Sequence, residues 1–259
     1  MLRSLYTAGS GLNSQQLLLD TIANNLANVN TTGYKKNRVN FQDLIYQKMQ
    51  IATREKPVQV EVGTGVRLSS TLVDFKQGIL QQTGNQLDIA IEGAGFFKVQ
   101  MPNGAIGYTR NGACRLDDEN YIVNSDGFRL LDESNSSLQI PDNTREIQME
   151  EGVIFALVDG ESDSTEVGTI GLARFNNPTG LEKNGGSIYL PTSASGEAQD
   201  GISGEVGFGM IKQFFLENSN VNVVEEMVQM ITAQRAYEIN TKTIQTTDEI
   251  LGMTNNLRR

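Results

Sequence analysis

Residues 4–29 read SLYTAGSGLNSQQLLLDTIANNLANV, and the spacing inside this stretch decides the architecture. Leu5, Leu12, Leu19 and Leu26 recur every seven residues, and Ala8, Gln15, Ile22 and Val29 form a second row three residues on. Such spacing lines one narrow stripe of a helix, the pattern of a coiled-coil seam. It predicts a helix from Ser4 to Val29, ended by Asn30, Thr31, Thr32 and Gly33, since glycine tolerates the backbone found just past a helix end. At the other end Val223, Met230, Tyr237, Ile244 and Leu251 again recur every seven residues. Two heptad ends imply helices that pair with each other and pack against other copies. The same periodicity also fits an ordinary amphipathic helix at each end, docked on its own domain.

The solvent face of the first helix separates these readings. Asn13, Ser14, Gln15, Gln16, Asn24, Asn25 and Asn28 are uncharged, with hardly a charge between Arg3 and Asp20. A free surface helix carries Lys and Glu, whereas one covered on several sides in a polymer avoids them. The last helix starts near Asn222, where Asn222 and Glu225 form a variant capping box and Glu225 and Glu226 complement the helix dipole. A helix of some thirty residues is about 45 Å long.

Composition narrows the function. The 259 residues allow one large domain or two ordinary ones. Glycine is frequent (26), proline scarce (5) and tryptophan absent, which favours a turn-rich β body. A net charge of −10 argues against a nucleic-acid partner. The charge is uneven: Arg3, Lys35, Lys36 and Arg38 against Asp20 leave residues 1–40 at +3, while residues 217–259 carry −2. With no histidine, Ser-His-Asp triads and most zinc sites are excluded. The single Cys114 excludes an internal disulfide and any CxxC site. No apolar window is long enough for membrane insertion, and Gln15, Gln16 and Asp20 interrupt any signal-peptide core.

Between the ends, residues 34–69 read as an extended connector. Phe41, Leu44, Ile45 and Tyr46 fit one short helical turn, residues from Gln47 to Val62 are mixed and include Pro57, and Gln59 to Val62 alternates like a strand before the Gly63-Thr64-Gly65 turn. Residues 70–216 read as β. Leu87 to Ile91 alternates, Gly93-Ala94-Gly95 turns into Phe96 to Val99, and Pro102-Asn103-Gly104 is a hairpin turn before Tyr108. Tyr121 to Val123, Phe128 to Leu131, Gly152 to Leu157, Thr169 to Phe175 and Ser187 to Leu190 continue the series. Short strands at regular spacing suggest a sandwich or barrel-like body.

No chemical constellation is complete. Gly93-Ala94-Gly95 lacks the third glycine and downstream acid of a dinucleotide site and reads as a β-turn. The acidic groups Asp117, Asp118 and Glu119, and Glu161 with Asp163, lack EF-hand spacing and read as solvated loops. Cys114 reads as a buried small hydrophobe, and Tyr237 as a packing residue. No cofactor is implied.

Residues 23–35, Ala-Asn-Asn-Leu-Ala-Asn-Val-Asn-Thr-Thr-Gly-Tyr-Lys, closely resemble the N-terminal signature of the bacterial flagellar rod and hook family. Ser219-Asn220-Val221-Asn222-Val223 and Gln234 to Asn240 resemble its C-terminal signature, and Gly95-Phe96-Phe97, Tyr108-Thr109-Arg110 and Asn177 to Leu181 resemble blocks between them. Tyr46-Gln47 and Gly63-Thr64-Gly65 bracket a segment similar to one in distal-rod members. Three positions depart from the pattern: Cys114 stands where an aromatic is usual, and Asn120 and Phe214 where glycine is usual.

The resemblance implies a non-enzymatic α+β subunit of a helical polymer, the distal rod of the flagellar basal body. Its paired coiled-coil-like terminal helices, residues 1–33 plus 217–259, would form the axial core, and the mainly β body, residues 70–216, an outer domain. Axial packing would use Leu5, Leu12, Leu19, Ile22, Leu26, Val29, Val223, Met230, Tyr237, Ile244 and Leu251, and the connector Tyr46, Gln47, Gly63 and Gly65. Partners implied are further copies, other rod proteins, the hook and, where an outer membrane exists, bushing rings. Export would proceed through the flagellar secretion apparatus without leader cleavage. The alternatives are a proximal-rod or hook-like relative, or a secreted β-domain binding module that dimerises through its ends.

Overall fold

The computed structural model describes residues 2–50, 60–159 and 164–256. The chain divides into two compact units, one formed by residues up to Ala27, Asn37–Val73 and Asn222 onward, the other by Asn28–Lys36 and Asp74–Val221. The division differs from the one read from the sequence. Residues 28–33 and 217–221 belong with the β-rich unit, and residues 37–73 belong with the helices.

The first unit contains α1 (Leu2–Ala27), strands β1 (Asn37–Asp43), β2 (Gln47–Gln50), β3 (Val60–Val62) and β4 (Val66–Val73), and α2 (Val223–Asn256). Asn222 caps α2: its side-chain oxygen accepts the Val224 amide at 3.1 Å, satisfying a donor that the helix itself leaves open. Phe41 does not form the helical turn expected from its spacing with Leu44 and Ile45. It lies in β1, which pairs antiparallel with β4 and places Phe41 opposite Leu68, with a bulge at Asn40 and Phe41. Pairing with a strand 27 residues away overrides a local spacing that fits either structure. β2 and β3 pair antiparallel. Pro57 and Gln59 lie outside the described residues, as do Glu161 and Asp163.

Among the described residues, every strand pair of the second unit is antiparallel. Its largest sheet runs β16 (Glu182–Lys183), β17 (Ile188–Leu190), β8 (Ile106–Thr109), β7 (Phe96–Gln100), β11 (Arg129–Leu130), β10 (Ile122–Val123), β9 (Arg115–Leu116), with β15 (Leu172–Arg174) joining β7 to β18 (Gln199–Gly201). A three-stranded sheet contains β12 (Thr144–Glu150), β13 (Val153–Val158) and β14 (Thr165–Thr169); β6 (Ile89–Glu92) pairs with β19 (Met210–Gln213), and β5 (Leu80–Gln82) with β20 (Phe215–Glu217). Ile89, Phe97, Leu130, Ile154, Ile170 and Leu172 meet in one core drawn from several of these sheets. The expected Gly93-Ala94-Gly95 turn joins β6 to β7. Asn120 and Phe214 both hold left-handed backbone, at φ 61° and 65°, the conformation that favours the glycine expected at these positions. Asparagine tolerates this conformation, whereas for a bulky residue it is strained. Cys114 is buried in the core.

Candidate assembly surface

Within the first unit α1 and α2 pack against each other and run antiparallel. Asn25 meets Glu226, while Gly11 meets Asn240, whose side chain would lie 3.0 Å from a Cβ at that glycine. On α1, Ala8, Ser14, Ile22 and Asn25 are buried, and Leu5, Leu12, Leu19 and Leu26 are half-buried along one flank. Val29 lies beyond the helix, half-buried in the turn that follows it. On α2, Met230, Ile244 and Leu251 are half-buried, whereas Val223 and Tyr237 sit at the exposed margin. The most buried positions of α2 are instead Glu226, Ala233 and Thr247, on the row that includes the half-buried Asn240. Sequence reasoning missed this row because it contains no large apolar residue to register in a hydrophobic period. Its heptad spacing alongside the Met230 row was the available signal.

α2 also presents apolar side chains outward. Val224 (70% exposed), Met227, Val228 (56%) and Ile231 (56%) fall on one face of its first turns. Single exposed apolar residues are ordinary, but a contiguous group on a helix marks a protein contact. In the β hairpins Tyr46 faces Gly63, whose Cβ position would lie 3.5 Å from the ring, and Gln47 opens β2. Gly65, at φ 125°, abuts Ser10 of α1, and the Ser10 hydroxyl accepts the Val66 amide at 3.3 Å. A side chain at Gly65 would meet both strained backbone and α1.

The tail of the N-terminal signature is bound inside the second unit. The Gly33 amide donates to the Glu217 carbonyl at 2.7 Å. Fully buried, the Glu217 carboxylate accepts from Lys35 Nζ at 2.5 Å, from the Gly78 amide at 2.7 Å and from Arg110 at 3.4 Å. Lys35 Nζ also donates to the Lys76 carbonyl at 2.8 Å. Burial holds the Lys35 ammonium below the ordinary lysine range even against the pull of Glu217, and acts on Arg110 in the same direction. Asn220 ties three segments together: its side chain accepts the Lys36 amide and donates to the carbonyls of Asp74 and Lys76. These contacts are structural. Each buried charge of this network is met by opposite charge and hydrogen bonds.

A groove of about 510 Å³ in the same unit is lined by Phe75, Phe96, Phe175, Arg110 and Arg174, without a nucleophile or a carboxylate. Asp117, Asp118 and Glu119 are exposed, and among the described residues no cluster of acidic or thiol side chains is arranged to hold a metal ion. Nor, among them, is any helix long and apolar enough to cross a membrane.

Three family profiles match the chain: flagella basal body rod protein over residues 5–35, flagellar hook protein FlgE/F/G D1 domain over 90–156, and flagellar basal body rod FlgEFG protein C-terminal over 212–257. Flagellar basal-body rod protein FlgG of Borreliella burgdorferi is 44% identical over the full length of both chains. The protein of that name in Caulobacter vibrioides is 40% identical over 99% of this chain and 100% of its own. That of Bacillus subtilis is 37% identical over the full length of both. Helical ends, a β-rich body and likeness from end to end give one conclusion: the chain belongs to the flagellar basal-body rod proteins of the FlgG type, structural components of the flagellum and not enzymes.

Proposed function

We propose that this chain polymerises helically into the distal rod, the part of the drive shaft between the proximal rod and the hook. The terminal helices pair along their two heptad rows, in the manner of a coiled-coil seam, and the pair makes the axial contacts between copies. The β hairpins of residues 37–73 brace adjacent copies, and residues 74–221 form the outer part of the shaft. Contacts of this kind are heterologous and generate an open helix instead of a closed ring. Close-packed helices give the stiffness that torque transmission needs. Neighbours in the flagellum would be other rod proteins, the hook and, where an outer membrane exists, bushing rings; delivery would use the flagellar export apparatus.

The observation that carries this reading is the outward apolar face of α2 at Val224, Met227, Val228 and Ile231. Its complement is the near absence of charge on α1 between Arg3 and Asp20. Deleting residues 1–27, which leaves the Gly33–Glu217 and Lys35–Glu217 contacts intact, should abolish concentration-dependent growth in sedimentation velocity. Near-ultraviolet circular dichroism should still report a folded β-rich unit. Assembly by the shortened chain would refute the proposal.

A further inference from the structure

The apolar rows of the two helices do not select one alignment. Leu5, Leu12, Leu19 and Leu26 on α1, and Met230, Tyr237, Ile244 and Leu251 on α2, each repeat every seven residues. Sliding α2 by one heptad therefore sets apolar residue against apolar residue again. The observed alignment pairs Asn25 with Glu226 and Gly11 with Asn240, two contacts separated by two heptads on both helices.

We propose that Asn25 and Glu226 form a register lock that selects this alignment. Both side chains are 2% exposed. The Asn25 amide nitrogen donates to Glu226 Oε2 at 3.1 Å and to the Asn37 carbonyl at 2.9 Å, and its oxygen accepts the Asn37 amide at 2.9 Å. Both amide hydrogens and the oxygen are thereby used, so the junction joins α1, α2 and β1. Glu226 also stands in the first turn of α2, where the helix dipole favours a carboxylate.

A slip of one heptad in one direction sets Glu226 against Leu18 and carries Asn25 past the start of α2. In the other it sets Asn25 against Ala233 and carries Glu226 beyond the end of α1. Either slip separates a buried amide from a buried carboxylate, and a polar group buried without its partner is disfavoured strongly. A single polar pair at a core position is a known means of fixing helix alignment. The lock concerns the alignment within one chain. Its consequence rests on the assembly proposed above: a slipped chain would shift the Val224–Ile231 face by about 10 Å along α1, out of step with its neighbours.

Cysteine pairs in the full-length chain carrying Cys114→Ser test the lock. Gly11→Cys with Asn240→Cys reports the observed alignment, and Gly11→Cys with Ala233→Cys or with Thr247→Cys reports a slip each way. With the lock intact, the 11/240 disulfide should form within monomers at least about tenfold faster than either slipped pair. With Asn25→Leu and Glu226→Leu, a slipped pair should come within about threefold of it, and Glu226→Gln, which keeps an acceptor, should restore the preference. If the doubly apolar chain loses its helical circular dichroism, Asn25→Ala alone is used with the same expectation. Slipped pairs that stay excluded in a helical variant, or an intact chain with no preference for 11/240, would overturn the lock. Because the readout is intramolecular, failure to form a rod would leave it unchanged.

Discussion

Breaking the buried ion pair of Lys35 and Glu217 from its two sides should have unequal effects. In Lys35→Met, Glu217 keeps the Gly78 amide at 2.7 Å and Arg110 at 3.4 Å, while the Lys76 carbonyl loses Lys35 and keeps Asn220. In Glu217→Met, two buried cations, Lys35 and Arg110, lose their shared carboxylate at once. Removing one partner of a buried pair costs about 3–5 kcal/mol. Lys35→Met should fall near 3 kcal/mol on that scale, because Arg110 still balances the carboxylate, and Glu217→Met near 5 kcal/mol or above. Urea titration in dilute solution, followed by the near-ultraviolet signal of the buried Tyr108 and Tyr189, reads this unit directly. At slopes of about 1–3 kcal/mol per molar urea, a loss of 3 kcal/mol lowers the midpoint by roughly 1–3 M. A shift below about 0.3 M in both variants, or a larger effect from Lys35→Met than from Glu217→Met, would refute the reasoning.

Other positions make sharper local tests. Phe214→Gly relieves a left-handed backbone at φ 65° whose cost is about 1–2 kcal/mol; after the flexibility that glycine adds to the unfolded chain, a gain of up to about 1 kcal/mol should appear as a raised midpoint. Gly33→Ala should cost at least about 2 kcal/mol by the same titration, since φ is 68° and a Cβ would lie 2.6 Å from the Asn111 nitrogen. Cys114 is buried, and burial, with the Asp88 carboxylate adding to it, pushes its thiol up to about 12. An unfolded thiol ionises near about 8.5, so the folded state keeps its proton longer. The stability this provides is complete below that pH and is lost as pH climbs towards 12. Iodoacetamide at moderately alkaline pH should therefore leave Cys114 unmodified in the native chain and alkylate it in guanidinium; equal rates would contradict its placement.

Local signals were legible where local physics decides. The spacing of Leu5, Leu12, Leu19 and Leu26 foretold a helix, found over Leu2–Ala27, and Asn222 foretold the start of α2 through the hydrogen bond it makes to Val224. Pro102-Asn103-Gly104 foretold the turn between β7 and β8. What stayed hidden depends on residues distant in sequence. Phe41 read as helical because spacings of three and four residues suit a helix, and only its pairing with Leu68 makes it a strand. Nothing near Lys35 announces an acceptor 182 residues away, and nothing near Asn25 announces Glu226. The Glu226, Ala233, Asn240 and Thr247 row escaped a hydrophobic count because its packing relies on small and polar groups. Gly33 and Glu217 look like helix margins in the sequence, and their hydrogen bond joins them within the β-rich unit.

The central claim, that the outward face of α2 binds neighbouring copies, is tested most directly by electron microscopy of concentrated full-length protein beside a Val228→Glu/Ile231→Glu variant. Both would be imaged alone and with purified basal bodies as seeds. The account predicts tubes or rod-like extensions from the unmodified chain, and dispersed monomers of unchanged helical content from the variant. Extensions of equal length from both, or an unmodified chain that stays a discrete dimer even when seeded, would contradict it.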